Sequence, residues 1–318
     1  ICTFAKNLKF GKMAQIIIEN EVSFFAGRAS QDLGSRIAKD FGQDLGNVII
    51  NTFSDGEFQP SYEESIRGHN VYLVQSTMPP ADNLMELLMM VDAAKRASAD
   101  KIIAIVPYFG FARQDRKDRP RVPIASKLVA DLLTAAGISR LITLDLHADQ
   151  IQGFFNVPVD HLYSSKVFLP VVRGLELDNM MFASPDVGGT RRAAAYAKAF
   201  GTDFAICYKQ RSRPNVIASM SLIGDVKGKN VILLDDMIDT AGTITKAAQL
   251  IMDEGALSVR AIAAHAVLSG SAYEKIENSV FTKVYVTDTI PLRQQSDKIE
   301  VVSTAPIFAE AVRKIQKH

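Results

Sequence analysis

Short runs of Val, Ile, Leu and Ala, nearly free of polar residues, alternate with helically patterned segments along most of the chain. Strands that read as continuous apolar runs are covered on both faces, which is the condition of a parallel sheet. The segments that fit are Val48–Phe53, Val71–Ser76, Lys101–Tyr108, Leu141–Leu146, Phe182–Ser184, Asp203–Tyr208, Val231–Asp235, Ser258–Val267 and Lys283–Thr287. Between them Leu84, Leu87, Leu88 and Val91 keep helical spacing, as do Leu128, Leu132 and Leu133 before Gly137. Ile244, Ala247, Ala248 and Ile251 do the same before Gly255. A glycine just past the last turn relieves the left-handed position there. The pattern predicts an α/β protein, with helices flanking mainly parallel sheets. A last helix is expected from Thr304 to Lys317, with Pro306 in its first turn.

A length of 318 residues suggests about two domains. A weak internal repeat agrees. Asn70–Val74, a helix and Ala99–Val106 match Asn230–Leu234, a helix and Ser258–Ala264. Each copy is followed by a further strand ending in an acid, at Asp145 and at Asp288. The expected division is 13–160 and 161–305, with 306–318 packing back on the first part. Residues 1–12 read as an extension outside the fold, because Met13 opens the first globular-looking segment. The copies differ where the first strand ends: Gln75-Ser76-Thr77 in one, Asp235 to Thr243 in the other. Only the second sets acids beside small residues, so the two should differ in chemistry.

Several function classes are excluded. Lys and Arg total 36 against 35 Asp and Glu, a net charge of +1, unlike a nucleic-acid binder that works through excess positive charge. Two cysteines, Cys2 and Cys207, build neither a disulfide framework nor a zinc site. No apolar run approaches the ~20 residues of a membrane span, and the opening residues lack the apolar core of a signal peptide. The expected setting is the cytoplasm, with neither nucleic acid nor membrane as partner.

The residues with most chemistry are Asp235-Asp236-Met237-Ile238-Asp239-Thr240-Ala241-Gly242-Thr243. A buried strand ends in two acids, a loop of small and hydroxylated residues follows, then a helix. In open α/β sheets ligands bind at the carboxyl ends of strands, and amides at a helix N-terminus attract phosphate. Two carboxylates would repel phosphate but suit sugar hydroxyls, so a phosphorylated sugar satisfies both halves. The plainer account is a helix capped by Asp239 or Thr240, which leaves Asp235 and Asp236 unexplained. Arg113 to Arg121 packs five cations into nine residues, either a solvated loop or a phosphate grip. Lys209-Gln210-Arg211-Ser212-Arg213-Pro214-Asn215 reads as a charged hairpin, and Phe53-Ser54-Asp55-Gly56-Glu57 as a strand ending in a turn. Asp145 and His147 are two apart on a predicted strand, so they would share a face and converge on one metal ion. A lone histidine is more often a hydrogen-bonded core residue.

Taken together these segments resemble the ribose-phosphate diphosphokinase family, and Val231 to Thr243 resembles the phosphoribosyl-pyrophosphate loop of the phosphoribosyltransferase fold. The resemblance runs from about Val22 to the C-terminus. It also rests on Asn51–Glu57, Tyr108–Lys117, Asp145–Phe155, Ser184–Gly189 and Lys209–Asn215. It implies two similar phosphoribosyltransferase-like domains, and transfer of the diphosphoryl group of ATP to the C1 hydroxyl of ribose 5-phosphate with Mg²⁺. By resemblance Phe53, Asp55, Gly56, Glu57, Arg113 and Gln114 bind ATP. Asp235, Asp236, Asp239, Thr240, Ala241, Gly242 and Thr243 bind ribose 5-phosphate together with Arg211. Lys209 and Arg211 steady the transferring phosphates, and His147 and Asp186 contact the metal. Some relatives extend the metal set to Asp145 and two later acids. Those positions here are Asn156 and Asp160, and the asparagine departs from the pattern. The family brings the Phe53–Glu57 loop from a neighbouring subunit, which implies a homo-oligomer, commonly a hexamer. No GxxxxGK[ST] cradle occurs. Two rival readings are a phosphoribosyltransferase that consumes the sugar diphosphate and a non-catalytic regulatory subunit of such an enzyme.

Overall fold

The computed structural model describes residues 21–213 and 216–317, and the side chains of 209–219 fall outside what it describes. The expected extension at 1–12 also lies outside the described residues. The first part of the chain runs β1 (Val22–Ala26), α1 (Gln31–Phe41), β2 (Val48–Thr52), β3 (Phe58–Tyr62), β4 (Asn70–Val74), α2 (Asp82–Arg96), β5 (Lys101–Val106), α3 (Ala125–Ala136), β6 (Arg140–Leu144), β7 (Val159–Leu162) and α4 (Ser165–Gly174). The second runs β8 (Met180–Ser184), α5 (Thr190–Phe200), β9 (Phe204–Arg213), β10 (Val216–Ile223), β11 (Asn230–Ile238), α6 (Gly242–Asp253), β12 (Ser258–Ala266), α7 (Ala272–Glu277), β13 (Phe281–Thr287), β14 (Ile299–Val302) and α8 (Ala305–Gln316).

The first sheet has the order β1-β4-β5-β6-β7, all parallel. The second contains β8-β11-β12-β13-β14, also parallel, with the β9–β10 hairpin added beside β8. Strand for strand the two units share one topology, so the weak sequence repeat reflects a repeated fold. Every residue of β4 is buried, as are Ile102–Val106 of β5 and Val231–Leu234 of β11, which is why these strands read as unbroken apolar runs. Val48–Phe53 breaks the expectation of a parallel strand. It forms a separate antiparallel two-stranded sheet with β3, and its side chains are largely exposed. Pro60 in β3 donates no backbone hydrogen bond, which suits a short ribbon outside the main sheet.

Each sheet is covered on both faces. In the first, Leu87 and Val91 of α2 and Val129 and Leu133 of α3 cover one face. The other is covered by Leu33 and Ile37 of α1 with Phe308 and Val312 of α8. In the second, Ile244, Ala248 and Ile251 of α6 cover one face. The opposite face carries Phe168 and Val172 of α4 and Tyr196 of α5. Two helices are therefore exchanged. α4 follows the first sheet in the chain yet packs on Phe182 and Ile232 of the second, while α8 follows the second and packs on Phe24, Tyr72 and Ile103 of the first.

Matching clasps mark the two crossings. The Asp145 carboxylate accepts hydrogen bonds from the Ser164 amide (3.0 Å) and hydroxyl, just before α4. The Asp288 carboxylate accepts from the Thr304 amide (2.9 Å) and hydroxyl (2.6 Å), just before α8.

Cys207 in β9 is fully buried in the second core, and burial pushes its thiol up to about 12. A thiol raised this far is protonated at pH 8, and the thiolate is the nucleophile. In a Cys2→Ser chain, a disulfide-exchange reagent should therefore label nothing in native buffer and one thiol in denaturant. Labelling of the native chain at the rate of a free thiol would contradict this placement.

Candidate active site

β11 runs on past its buried stretch to Ile238, so Asp235 and Asp236 sit near its carboxyl end. Ala241 then adopts a left-handed conformation at φ 59°, and α6 begins at Gly242 with no side-chain cap. The simple helix-cap account of Asp239 and Thr240 is thus not what the loop does. A left-handed non-glycine residue costs about 1–3 kcal/mol and persists where the surroundings over-determine it, commonly at ligand clamps.

The loop lines a cavity of about 260 Å³ together with Arg113, His147 and Asp186. Three separate segments, two from loops of the first unit and one following β8, meet the loop there. Arg113 donates from Nη1 to Asp239 Oδ2 at 2.6 Å, and Ser269 Oγ donates to the other oxygen of the same carboxylate. His147 Nδ1 lies 2.7 Å from Asp236 Oδ2. The Asp236 amide donates to Asp235 Oδ1 at 2.9 Å. Lys275 Nζ donates to the Thr240 carbonyl at 3.0 Å. Asp186, in the turn between β8 and α5, accepts the Gly189 amide at 3.2 Å. A larger cavity, about 1140 Å³, lies among Lys101, Arg140 and Lys314 at the amino ends of the first sheet and gathers none of the candidate residues.

The charges of the two adjacent acids diverge. Burial and the Asp236 carboxylate raise Asp235 well above the ordinary range. Burial pushes Asp236 the same way, but hydrogen bonds from His147 and Asp235, with Arg192 nearby, hold it below its ordinary value. The bond to Asp236 in turn raises His147 against the opposing effect of burial. Burial also works against the charged form of Asp239, yet Ser269 and Arg113 keep it below the usual carboxylate range. Here are four acids and a cluster of cationic and hydroxyl donors, the composition expected where a polyhydroxylated, anionic ligand is gripped.

Asp145 and His147 both line a neighbouring cavity of about 540 Å³, but Asp145 does not line the cavity at the Asp235–Thr243 loop with His147. β6 ends at Leu144, and Asp145 takes a left-handed φ of 37°, which breaks the alternation on which a shared face depends. Its carboxylate is turned to Ser164. Asp160 is likewise engaged elsewhere, with Arg140 Nη1 at 2.8 Å. Phe53, Asp55, Gly56 and Glu57 form the exposed tip of the β2–β3 hairpin and do not line the cavity. The tip is held by the Phe53 amide on the Glu57 carbonyl (2.7 Å) and the Glu57 amide on Asp55 Oδ1 (3.0 Å). Gln114 is exposed, and its carbonyl accepts from the Ser126 hydroxyl at 3.0 Å. Lys209 and Arg211 belong to the backbone of β9, paired with Met220 and Ile217, and their side chains lie outside the described residues. Pro214 and Asn215 lie outside them altogether. Ser269, Lys275 and Arg192 escaped the sequence reading. Ser269 and Lys275 follow the carboxyl end of β12, and that position was the signal available for them.

The Arg113 loop depends on one glycine. A Cβ on Gly110 would stand 2.1 Å from the Thr77 carbonyl oxygen, so side chain and backbone cannot coexist there. Gly110→Ala should cost about 1–3 kcal/mol, the scale of overpacking, read as a lower denaturation midpoint. A midpoint equal to that of the unsubstituted chain would refute this.

Residues 22–137 match the model of the N-terminal domain of ribose phosphate pyrophosphokinase, and residues 183–318 that of the phosphoribosyl synthetase-associated domain. The chain belongs to the ribose-phosphate pyrophosphokinase family. Ribose-phosphate pyrophosphokinases from Porphyromonas gingivalis and Wolinella succinogenes are 56% identical over 94% of this chain and 54% identical over 92% of it. These matches cover 96% and 94% of the respective relatives. The crystal structure of phosphoribosylpyrophosphate synthetase from Mycobacterium smegmatis superposes with a TM-score of 0.88 at 39% identity, covering 94% of this chain and 99% of that one. Family membership makes the chain an enzyme, and it accounts for two phosphoribosyltransferase-like units within one chain. No helix among the described residues is long and apolar enough to cross a membrane.

Proposed function

We propose that the chain transfers the diphosphoryl group of Mg-ATP to the C1 hydroxyl of D-ribose 5-phosphate, giving 5-phosphoribosyl 1-diphosphate and AMP for nucleotide biosynthesis in the cytoplasm. The observation that carries this reading is the single cavity in which the Asp235–Thr243 loop meets Arg113 and His147 of the other unit. A site for one phosphorylated sugar alone would not need the first unit. Transfer between two substrates does. The working units are 13–160 with 306–318, and 161–305.

The amides and hydroxyls of Thr240 to Thr243 hold the 5-phosphate at the start of α6. Asp235 and Asp236 accept hydrogen bonds from the ribose hydroxyls. Arg113 and Gln114 take the ATP phosphates, and Lys209 and Arg211 steady charge that builds on the transferring oxygens. The C1 hydroxyl oxygen forms a bond to the β-phosphorus and loses its proton to solvent, while the bond from the β-phosphorus to the oxygen bridging to the α-phosphate breaks, so AMP leaves with that oxygen.

His147 and Asp186 would hold Mg²⁺. Among the described residues no group of three or more His, Cys, Asp or Glu forms a ready-made metal site. Magnesium keeps several waters and binds through one or two protein groups together with substrate phosphates, and His147 and Asp186 are two such groups on the lining of one cavity. The lining carries the carboxylates of Asp186, Asp235, Asp236 and Asp239 in one cavity, and this oxygen-rich donor set fits a divalent cation. When bound, the ion neutralises phosphate charge. The hairpin tip at Phe53–Glu57 is exposed and does not line the cavity of its own chain, which supports an adenine contact supplied across a subunit interface, in a homohexamer.

The test is AMP formation from ATP with purified protein. It should require both ribose 5-phosphate and Mg²⁺. AMP formed without the sugar, or a reaction that proceeds only from the sugar diphosphate and a base, would overturn the reading. The regulatory-subunit reading needs charge lost at Lys209, Arg211, His147 or Asp186, and all four are present.

A further inference from the structure

We propose that His265 and Thr289 are positioning residues that set His147 and Arg113, carried by the first unit, in register with the Asp235–Thr243 loop of the second. The inference rests on the reaction proposed above. That reaction needs two half-sites held at fixed distance, yet the pairs that meet in the cavity are weak holders. The side chain of Arg113 is 51% exposed and that of His147 38% exposed, and partly exposed ion pairs contribute little. The register must come from elsewhere.

His265 stands at the carboxyl end of β12, 2% exposed, where the two units meet. Its Nε2 is 3.2 Å from the Leu144 carbonyl and 3.1 Å from the Asp145 carbonyl, both at the end of β6. Carbonyl oxygens only accept, so Nε2 carries the hydrogen and donates across the junction. Nδ1 is then the acceptor, and the Thr289 hydroxyl, 2.9 Å away, donates to it. The ring also meets Tyr108 of the first unit edge-on, with centroids 4.9 Å apart.

Thr289 reaches the same unit by a second path. Its carbonyl accepts the Ser76 hydroxyl at 2.6 Å, and Ser76 Oγ accepts the Tyr108 amide at 3.0 Å. The Tyr108 carbonyl takes the Thr77 amide at 3.0 Å, and Thr77 Oγ1 takes the Gly110 amide at 2.7 Å. One path therefore ends at Asp145, two residues before His147, and the other at Gly110, three before Arg113. Asp145 is held twice in its left-handed conformation, by Ser164 through its carboxylate and by His265 through its carbonyl. A buried histidine is most often only a satisfied core residue. Here the Nε2 of His265 and the backbone carbonyl of Thr289 find their partners across the junction, the Thr289 hydroxyl fixes the His265 ring from within its own unit, and both paths end on segments that deliver charge into the cavity.

The test uses the full chain with His265→Leu, His265→Gln and His265→Asn, and with Thr289→Val as a shape-conserving partner. Turnover is measured beside ribose 5-phosphate affinity without nucleotide, which depends on the second unit alone. His265→Leu and Thr289→Val should lower kcat about 10–100-fold, the scale of a misplacement near 1 Å, with sugar-phosphate affinity unchanged. Glutamine places an amide donor where Nε2 was and should restore most of the turnover. Asparagine, whose amide falls at the Nδ1 position, should not.

Should His265→Leu fail to fold, the glutamine–asparagine contrast and Thr289→Val carry the test. Full turnover in Thr289→Val or in folded His265→Leu, equal rescue by both amides, or sugar-phosphate affinity lost in parallel with kcat would each overturn the proposal. Absence of AMP formation by the unsubstituted protein would instead refute the reaction itself.

Discussion

Lys209→Ala lowers kcat by roughly 10²–10⁴-fold, the loss seen when a pre-organised charge stabiliser is removed, while ribose 5-phosphate still binds. In diphosphoryl transfer there is little covalent chemistry for the protein to perform, so catalysis is positioning and charge stabilisation. A cation that meets the phosphates only as charge spreads in the transition state acts on kcat and not on ground-state binding. The position of Lys209 suits such a role. β9 and β10 form the outer hairpin of the second sheet, and their pairing slips on both sides of Ile217, the partner of Arg211. Loops beside a transferring phosphate commonly close over the substrate. Steady-state kinetics with both substrates varied, in parallel with Arg211→Ala, makes the test. An unaltered kcat in both variants would remove this hairpin from the mechanism.

Asp235→Asn with Asp236→Asn raises the KM for ribose 5-phosphate by roughly 10²–10⁴-fold. Each carboxylate–hydroxyl hydrogen bond is worth about 1.5–3 kcal/mol, and about 1.4 kcal/mol is a factor of ten. Asp236 carries a second cost, because its removal leaves His147 without the carboxylate that now sits 2.7 Å from Nδ1. The single Asp236→Asn variant should therefore be weaker in both KM and kcat, and Asp235→Asn mainly in KM. The check is kinetics on the two singles and the double, with ATP saturating. A double variant whose KM for the sugar stays within a factor of about three, well under 1 kcal/mol, would remove these acids from ribose recognition.

Much of the fold was legible because burial on both faces leaves a plain trace. β4, β5, β6, β11 and β12 stand at or next to the centre of their sheets and read as apolar runs. β7 and β14 were not found. They lie at sheet edges, where Asp160 and Glu300 are tolerated, and their residues are mostly half-buried or exposed. β3 was hidden by Pro60, and β1 by the polar Ser23 within a short run.

At the site, Asp235 to Thr243 stood out because acids interrupting an apolar strand are costly unless used. The cation run at Arg113 stayed ambiguous by residues alone. Only tertiary structure shows that Arg113 reaches Asp239 while Arg116 to Arg121 remain largely in solvent. Asp145 and His147 do line one neighbouring cavity, but the left-handed turn at Asp145, which no periodicity reveals, sets its carboxylate on Ser164.

The exchange of α4 and α8 means that neither half of this polypeptide owns all of its own covering. A gene cut after Gly174 leaves each fragment carrying the other's missing wall: the first sheet lacks Phe308 and Val312, and the second lacks Phe168 and Val172. Made alone, each piece would expose a greasy floor and precipitate. Made together, they should find one another and restore catalysis, since every surface each lacks is present on its counterpart.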